Sequence, residues 1–120
     1  MKIDDKMIEQ VYICAKEYFI NEIEIEEAVK YLSKEYKWDK GSAKGYMNVY
    51  KNMRNGERYT WTINGNATKY YLENIYNDNG YSALKIALKS VKLHIDYQEK
   101  IQSINNIKNI YDYFYKNIKS

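Results

Sequence analysis

Apolar residues recur at spacings of three and four along most of the chain, which is the pattern of helices that bury one face. Residues 4–20 predict a first helix, and Asp4 and Asp5 supply a cap and a favourable charge at its start. Residues 24–36 predict a second helix. The apolar positions of the two helices are Ile8, Val11, Tyr12, Ala15, Tyr18 and Phe19, then Ile25, Ala28, Val29, Leu32 and Tyr36.

A third helix is predicted from about 41 to 54, after the break KWDKGS, in which Asp39 or Ser42 can act as the cap. Asn55-Gly56 ends this helix, because both residues readily adopt the left-handed conformation. On a helical wheel the inner face carries Ala43, Tyr46, Met47, Tyr50 and Met53, and the outer face carries Lys44, Asn48, Lys51, Asn52 and Arg54.

The second half of the chain resumes the helical pattern after one interruption. Residues 57–63 alternate and are rich in β-forming residues, so they predict a short strand or an extended wing. A helix at 67–78 with Asn66 as its cap follows, and then a helix that Ser82 caps. The rest, 96–120, is helical by pattern. Its apolar positions form a short heptad-like seam, namely Ile104, Ile107, Tyr111, Phe114 and Ile118.

These elements together predict an all-α fold. Five to six helices are expected in one compact domain over residues 1–120, without internal repeats or a linker. The fold is expected to include a helix-turn-helix-like segment and a long C-terminal helix.

Composition adds expectations about the core and the compartment. The chain has fifteen Tyr against two Phe and two Trp, so much of the core must accommodate hydroxyl groups. The single cysteine, Cys14, excludes an internal disulfide and, among apolar neighbours, predicts a buried thiol. No stretch is apolar enough to span a membrane, and the start MKIDDKMIEQ lacks the apolar centre of a signal peptide. A cytoplasmic protein with no membrane partner is expected.

The net charge of +3 hides an uneven distribution. Residues 1–36 hold five Lys against nine acids, a balance of −4, whereas residues 37–70 hold seven Lys or Arg against two acids, a balance of +5. An acidic first third joined to a basic middle favours a surface that binds a polyanion. The simpler alternative is that solvated helix faces vary in sign by chance.

Few residues could support catalysis or bind a metal. One His and one Cys cannot assemble a zinc site, and His94, on a helix, is expected to be structural or at the surface. Gly41 and Gly45 are not followed by the Lys-Ser/Thr that a phosphate-binding loop requires. The expectation is a protein without enzymatic activity, catalytic residue, metal or cofactor.

Residues 37–61 interleave cations, amides and aromatic residues in the sequence KWDKGSAKGYMNVYKNMRNGERYTW. Two helices and a short turn at 24–61 are typical of a helix-turn-helix, whose second helix enters the major groove of DNA. Lys and Arg would contact phosphates, Asn would read adenine, and the aromatic residues after the helix would form a wing or a stacking platform. The predicted contacts are Lys40, Ser42, Lys44, Asn48, Lys51, Asn52, Arg54, Arg58, Tyr59 and Trp61. An ordinary amphipathic helix followed by core aromatics is the alternative.

The stretch from Gly41 to Glu99 also resembles a helical module that precedes HNH nuclease domains in bacterial restriction-type endonucleases. The residues that carry the resemblance are Ser42, Ala43, Tyr46, Tyr50, Met53, Gly56, Tyr59, Thr62, Ile63, Asn64, Thr68, Tyr70, Tyr71, Leu72, His94, Ile95, Tyr97 and Glu99. The resemblance implies a DNA-associated module that helps a nuclease to find its target. Two departures are that Trp61 stands where a basic residue is expected and that no HNH domain follows before Ser120. A detached module or a stand-alone relative is therefore expected.

Three interpretations of function follow from the sequence. The first is a non-catalytic protein that binds double-stranded DNA, linked to phage or host nuclease systems. The second is a small protein-binding inhibitor of a bacterial defence nuclease or a CRISPR effector, since Tyr-rich surfaces also favour protein interfaces. The third is a plain helical scaffold. A homodimer through 97–118 is expected if the apolar seam projects from the body, whereas the same helix could equally fold back and close the core.

Overall fold

Six α-helices make up most of the computed structural model, which describes residues 1–119 and, of Lys119, the backbone alone. They are α1 (Asp5–Phe19), α2 (Ile25–Tyr36), α3 (Lys40–Asn55), α4 (Gly65–Asn79), α5 (Tyr81–Gln98) and α6 (Asn105–Lys119). No strand occurs within the described residues. The prediction of an all-α fold with five to six helices is confirmed.

The chain divides into two compact units, Met1–Lys51 and a second unit that begins at Asn52, inside α3. The first unit holds α1, α2 and most of α3. The second unit holds the end of α3, the helices α4, α5 and α6, and the segment that leads into α4. That residues 1–120 form one domain stays a prediction.

The first unit is packed around large aromatic side chains. Tyr50 of α3 meets the rings of Tyr12 and Phe19 of α1 edge-on, with ring centroids 5.3 and 6.0 Å apart. Such edge-to-face pairs stabilise a core beyond the area that they bury. The predicted inner face of α3 is confirmed, because each of its five apolar residues is buried: Ala43, Tyr46, Met47, Tyr50 and Met53.

Trp38 holds the turn between α2 and α3. Helix α2 ends at Tyr36, the next residue, Lys37, adopts the left-handed conformation (φ 60°, ψ 26°), and α3 begins three residues later at Lys40. Trp38 is 1% exposed, its Nε1–H donates to the carbonyl oxygen of Met7 at 3.1 Å, and its ring lies 4.9 Å from that of Tyr46. The start of α3 is therefore fixed against the first turn of α1.

Helices α4, α5 and α6 pack on one another to form the second unit. The side chain of Asn64 caps α4 by accepting a hydrogen bond from the N–H of Ala67 at 2.7 Å. The prediction of Asn66 as this cap is wrong by two residues. Helix α5 begins at Tyr81 directly after Gly80, whose φ is 89°, so Ser82 is not its cap either.

Residues 56–64 connect α3 to α4 and lie along α5, so we call them the connecting segment. They form neither a strand nor a free wing. The Oγ–H of Ser90 donates to the carbonyl oxygen of Glu57 at 2.5 Å, and Nδ1 of His94 lies 2.7 Å from the carbonyl oxygen of Tyr59. Ser90 and His94 of α5 thus supply hydrogen-bonding partners to backbone carbonyl groups that a neighbouring strand would supply in a sheet.

Three of the five residues of the predicted apolar seam near the C-terminus lie in the core of the second unit, and Tyr111 and Ile118 are half-buried. Residues 99–104 interrupt the helical pattern that we predicted for 96–120, and α6 begins only at Asn105. Ile104, Ile107 and Phe114 are buried, and α6 packs on both α4 and α5. The helix therefore folds back and buries most of the predicted strip, and a dimer through 97–118 stays a prediction.

Candidate nucleic-acid interface

Helix α3 contains no acidic residue, and its exposed face in the first unit carries a stripe of cations and one amide. Lys40, Lys44, Asn48 and Lys51 follow one another at spacings of four, four and three, so they share one face of the helix. The three lysines are exposed, and Asn48 is half-buried. We call these four residues the lysine stripe.

Asp39, rather than Ser42, caps the start of α3. Its carboxylate accepts a hydrogen bond from the N–H of Ser42 at 3.0 Å, and its carbonyl oxygen accepts one from Ala43 at 2.9 Å. Hydrogen bonds from the backbone and the side chain of Ser42 hold the pKa of Asp39 below its ordinary value. Ser42 is thus engaged at the cap, and its role as a DNA contact stays a prediction.

A cleft of about 300 Å³ lies between α2 and α3 beside this cap. Lys30 of α2 and Lys40 and Lys44 of α3 line it, together with Glu26 and an exposed Gly41. The cleft therefore brings three lysines together with the carboxylate of Glu26, beside a helix end that Asp39 already caps, and its charge is net positive. Lys30 was not among the predicted contacts, because the sequence does not reveal which face of α2 lies next to α3.

Two lysines of the stripe already have partners within the first unit. The Nζ of Lys44 lies 3.3 Å from Oε1 of Glu26, and the Nζ of Lys51 lies 5.4 Å from the centre of the Tyr18 ring. The ion pair is exposed to water on both sides, so exchanging the carboxylate for a phosphate costs little. The Tyr18 ring directs Lys51 without neutralising its charge.

The predicted contacts after α3 belong to the second unit, and one of them is wrong. Tyr59 is 3% exposed, and burial raises the pKa of its hydroxyl. It stacks on His94 and cannot reach a ligand at the surface. Trp61 is 47% exposed, and Arg58 is exposed with its guanidinium 4.9 Å from the centre of the Tyr97 ring. Arg58 and Trp61 thus remain accessible.

Asn52 and Arg54 lie on the last turns of α3, where the second unit begins, and both are half-buried. Arg54 takes part in an interaction of its own, so it is not a free cation. Asn52 follows Asn48 by four residues and continues the outer face of the helix. The lysine stripe, rather than this end of α3, carries the accessible charge.

The environment of the single cysteine sets the reactivity of its thiol. Cys14 is buried, and burial raises the pKa of its thiol to about 11, so the thiol stays protonated near neutral pH. No group of three or more His, Cys, Asp and Glu side chains is placed to hold a metal ion in residues 1–119, as far as they are described. Among those same residues, no helix combines the length and the apolar character that crossing a membrane requires.

Comparisons with known proteins leave the family of this chain open. No family model, no curated protein and no solved structure matches it. The resemblance to modules that precede HNH nuclease domains therefore stays a prediction. The residues that carry it are largely core residues of the present fold, among them Tyr50, Tyr71 and His94.

Proposed function

We propose that the chain binds double-stranded DNA without catalysis, and that the lysine stripe of α3 together with Lys30 forms the contact surface. The observation that carries the proposal is the convergence of Lys30, Lys40 and Lys44 on the cleft at the positive end of α3. A phosphate seated there would meet three lysines, which supply the attraction because Asp39 already occupies the cap of α3.

The connection between the two helices supports this orientation. Helices α2 and α3 are joined by three residues, the length typical of a helix-turn-helix. In such motifs the second helix enters the major groove while the first crosses the phosphate backbone. With α3 in the groove, Lys30 on α2 would face a phosphate of the adjacent backbone.

The residues of the surface divide into phosphate contacts, one base contact and one position that permits close approach. Lys40, Lys44 and Lys51 neutralise phosphates, which contributes affinity for any sequence. Asn48 lies between them on the same face, and its amide can pair with an adenine edge. Gly41 permits a close approach, since a Cβ built at this position would meet only Asp39 Oδ2, at 3.4 Å.

A small protein-binding inhibitor of a defence nuclease or CRISPR effector is the second candidate function. It is favoured by a cleft of about 380 Å³ in the second unit, around which Tyr76, Tyr81 and Tyr113 stand exposed. Tyrosine is enriched at the centres of protein interfaces. We also propose a link to a phage or to an HNH nuclease, which is compatible with either function.

Duplex binding across a salt series tests the first proposal. A fluorescently labelled duplex of random sequence is titrated with the chain between roughly 50 and 200 mM salt, and the slope of log K against log salt should be about −0.9 per phosphate neutralised. Lys44→Ala should make the slope shallower by about one. Lys6→Ala, on α1 and away from the cleft, removes the same charge and should leave the slope unchanged. Negligible duplex affinity at roughly 50 mM salt would refute the proposal.

A further inference from the structure

A second basic surface lies in the second unit, on the outer faces of α5 and α6. A groove of about 320 Å³ runs between the two helices. From α5 it is lined by Lys85, Lys89 and Lys92, which share one helix face at spacings of four and three. From α6 it is lined by Tyr111 and Tyr115, whose rings stack with centroids 5.6 Å apart. We call this the α5–α6 groove.

The groove combines an apolar floor with a cationic rim. Leu88 and Ile118 contribute to the floor, and Leu93 is exposed at its edge. No carboxylate lines the groove in the part of the chain that the structure describes. Just outside it, Asp96 accepts a hydrogen bond from the Nζ of Lys92 at 2.9 Å, and Asp112 follows the lining residue Tyr111 along α6. Lys85 and Lys89 thus leave an excess of positive charge beside an apolar trough.

We propose that the α5–α6 groove docks an acidic amphipathic helix of a partner protein. Such a helix would bury apolar residues at spacings of three and four on the trough, as in other helix-in-groove complexes. Its Glu or Asp residues would pair with the lysine rim. Lys85 and Lys92 are seven residues apart, about 10 Å along the helix, so a partner helix of two to three turns would span the rim.

The charge of the groove argues against the other occupants. Two copies of the chain that met symmetrically through this groove would oppose lysine to lysine, which disfavours such a dimer. A single-stranded nucleic acid would also find a cationic rim and aromatic rings here. However, Tyr111 and Tyr115 stack on each other, and Leu88, Leu93 and Ile118 offer no polar partner to base edges. An acidic helix satisfies both the apolar floor and the cationic rim.

A synthetic helix provides the probe. It is a fluorescein-labelled peptide of about 18 residues, or five turns, built from Leu, Ala and Glu with Leu along one face and Glu flanking it. Two control peptides are matched to it: one has the same composition with Leu scattered around the helix, and one replaces every Glu by Lys. Fluorescence anisotropy with the full chain should show saturable binding of the acidic amphipathic peptide only.

Variants of the chain locate the contact. Lys89→Glu places a like charge opposite the peptide and should weaken binding at least about tenfold. Lys100→Glu makes the same charge change in the turn after α5, outside the groove, and should change affinity less than about twofold. Both positions are exposed, and circular dichroism of each variant confirms that the helices are retained. Leu93→Glu should weaken binding in the same way as Lys89→Glu.

Several results would overturn the proposal. The proposal fails if the acidic amphipathic peptide does not bind, or if the lysine peptide or the scattered peptide binds as tightly as it does. It also fails if Lys89→Glu and Lys100→Glu change the affinity for the acidic peptide equally. Displacement of the bound peptide by single-stranded oligothymidine would assign the groove to nucleic acid instead. Sedimentation that shows a dimer which Lys89→Glu abolishes would assign it to a second copy. Duplex binding by the lysine stripe is measured separately, so the two proposals can fail independently.

Discussion

The imidazole of His94 stacks on the ring of Tyr59, with centroids 4.3 Å apart and 15° between the planes. Its Nδ1 lies 2.7 Å from the carbonyl oxygen of Tyr59, and its Nε2 lies 2.9 Å from Oγ1 of Thr62. Because a carbonyl oxygen can only accept, Nδ1 carries the proton and Nε2 accepts from the Thr62 hydroxyl. A neutral His94 thus satisfies both partners and ties the connecting segment to α5.

Acidification is expected to destabilise the chain through His94. Burial lowers the pKa of His94 below its ordinary value of 6.5, so the unfolded chain binds this proton more tightly than the folded chain. The stability that neutral His94 contributes is therefore complete above about pH 6.5 and is lost as the pH falls toward the lowered folded pKa. Urea denaturation at about pH 7.5 and about pH 5.5 should give a lower midpoint at the acidic pH.

The control for this prediction is His94→Gln, since His94 is the only histidine of the chain. The variant should be less stable at neutral pH, because the amide cannot reproduce the stacking on Tyr59. Its midpoint should change much less than that of the wild type between the two pH values. A pH dependence as large as that of the wild type would assign the effect to other groups.

Removal of the Trp38 side chain is expected to be among the most damaging changes in the first unit. Trp38→Ala should destabilise the fold by about 3–5 kcal/mol, because it leaves a cavity and deprives the Met7 carbonyl of its donor. Trp61→Phe is the matched control, since Trp61 is exposed, and it should change stability by less than about 0.5 kcal/mol. Chemical denaturation followed by circular dichroism measures both. Similar losses in the two variants would contradict the structural role of Trp38.

Replacement by alanine should change the stability of the fold in opposite directions at Gly41, inside α3, and at Gly56, directly after it. Gly56 has φ 69°, and a Cβ there would lie 3.1 Å from Cγ2 of Ile86, so Gly56→Ala should destabilise by about 1–2 kcal/mol. Gly41 lies in the first turn of α3, where a Cβ would make only an ordinary contact with Asp39 Oδ2 at 3.4 Å, so Gly41→Ala should be neutral or stabilise by up to about 1 kcal/mol. Thermal unfolding of the two variants makes the comparison. A stabilising Gly56→Ala would show that the end of α3 adopts another backbone conformation.

Periodicity predicted the helices and their buried faces, but not the ends that depend on local hydrogen bonds. Asn64 and Asn66 are equally good caps by residue type, and only the position of Ala67 N–H distinguishes them. Likewise, the interruption at 99–104 contains no Gly or Pro, the residues that usually mark such breaks.

The candidate site could be predicted only where a single helix carries it. The stripe of Lys44, Asn48 and Lys51 follows from the spacing along α3, whereas Lys30 joins it only through the packing of α2 beside α3. Tyr59 illustrates the converse. The alternating pattern around Tyr59 fits an exposed wing as well as a buried segment. Contact with His94, thirty-five residues away, buries Tyr59 and decides between the two.

The lysine stripe makes a last prediction, which separates phosphate contacts from base contacts. A preferred duplex is first selected from a random pool, and the affinities of variants for the preferred and a scrambled duplex are then compared. Lys51→Ala should weaken both duplexes equally and make the salt slope shallower by about one, because a phosphate contact carries no sequence information. Asn48→Ala should weaken only the preferred duplex, by about 1–3 kcal/mol, since a bidentate amide pair is lost.

Tyr59→Phe serves as the negative control for this comparison, because the buried hydroxyl is expected to contribute nothing to duplex binding. If Asn48→Ala weakened both duplexes alike, Asn48 would be a backbone contact and the discrimination would come from elsewhere. If Lys51→Ala left both affinities unchanged while Arg58→Ala reduced them, the duplex would lie on the connecting segment rather than on α3. The first result would change only the role of Asn48, whereas the second would move the interface away from α3. The interface is assigned to α3 because its accessible face presents lysines and an amide without a carboxylate of its own.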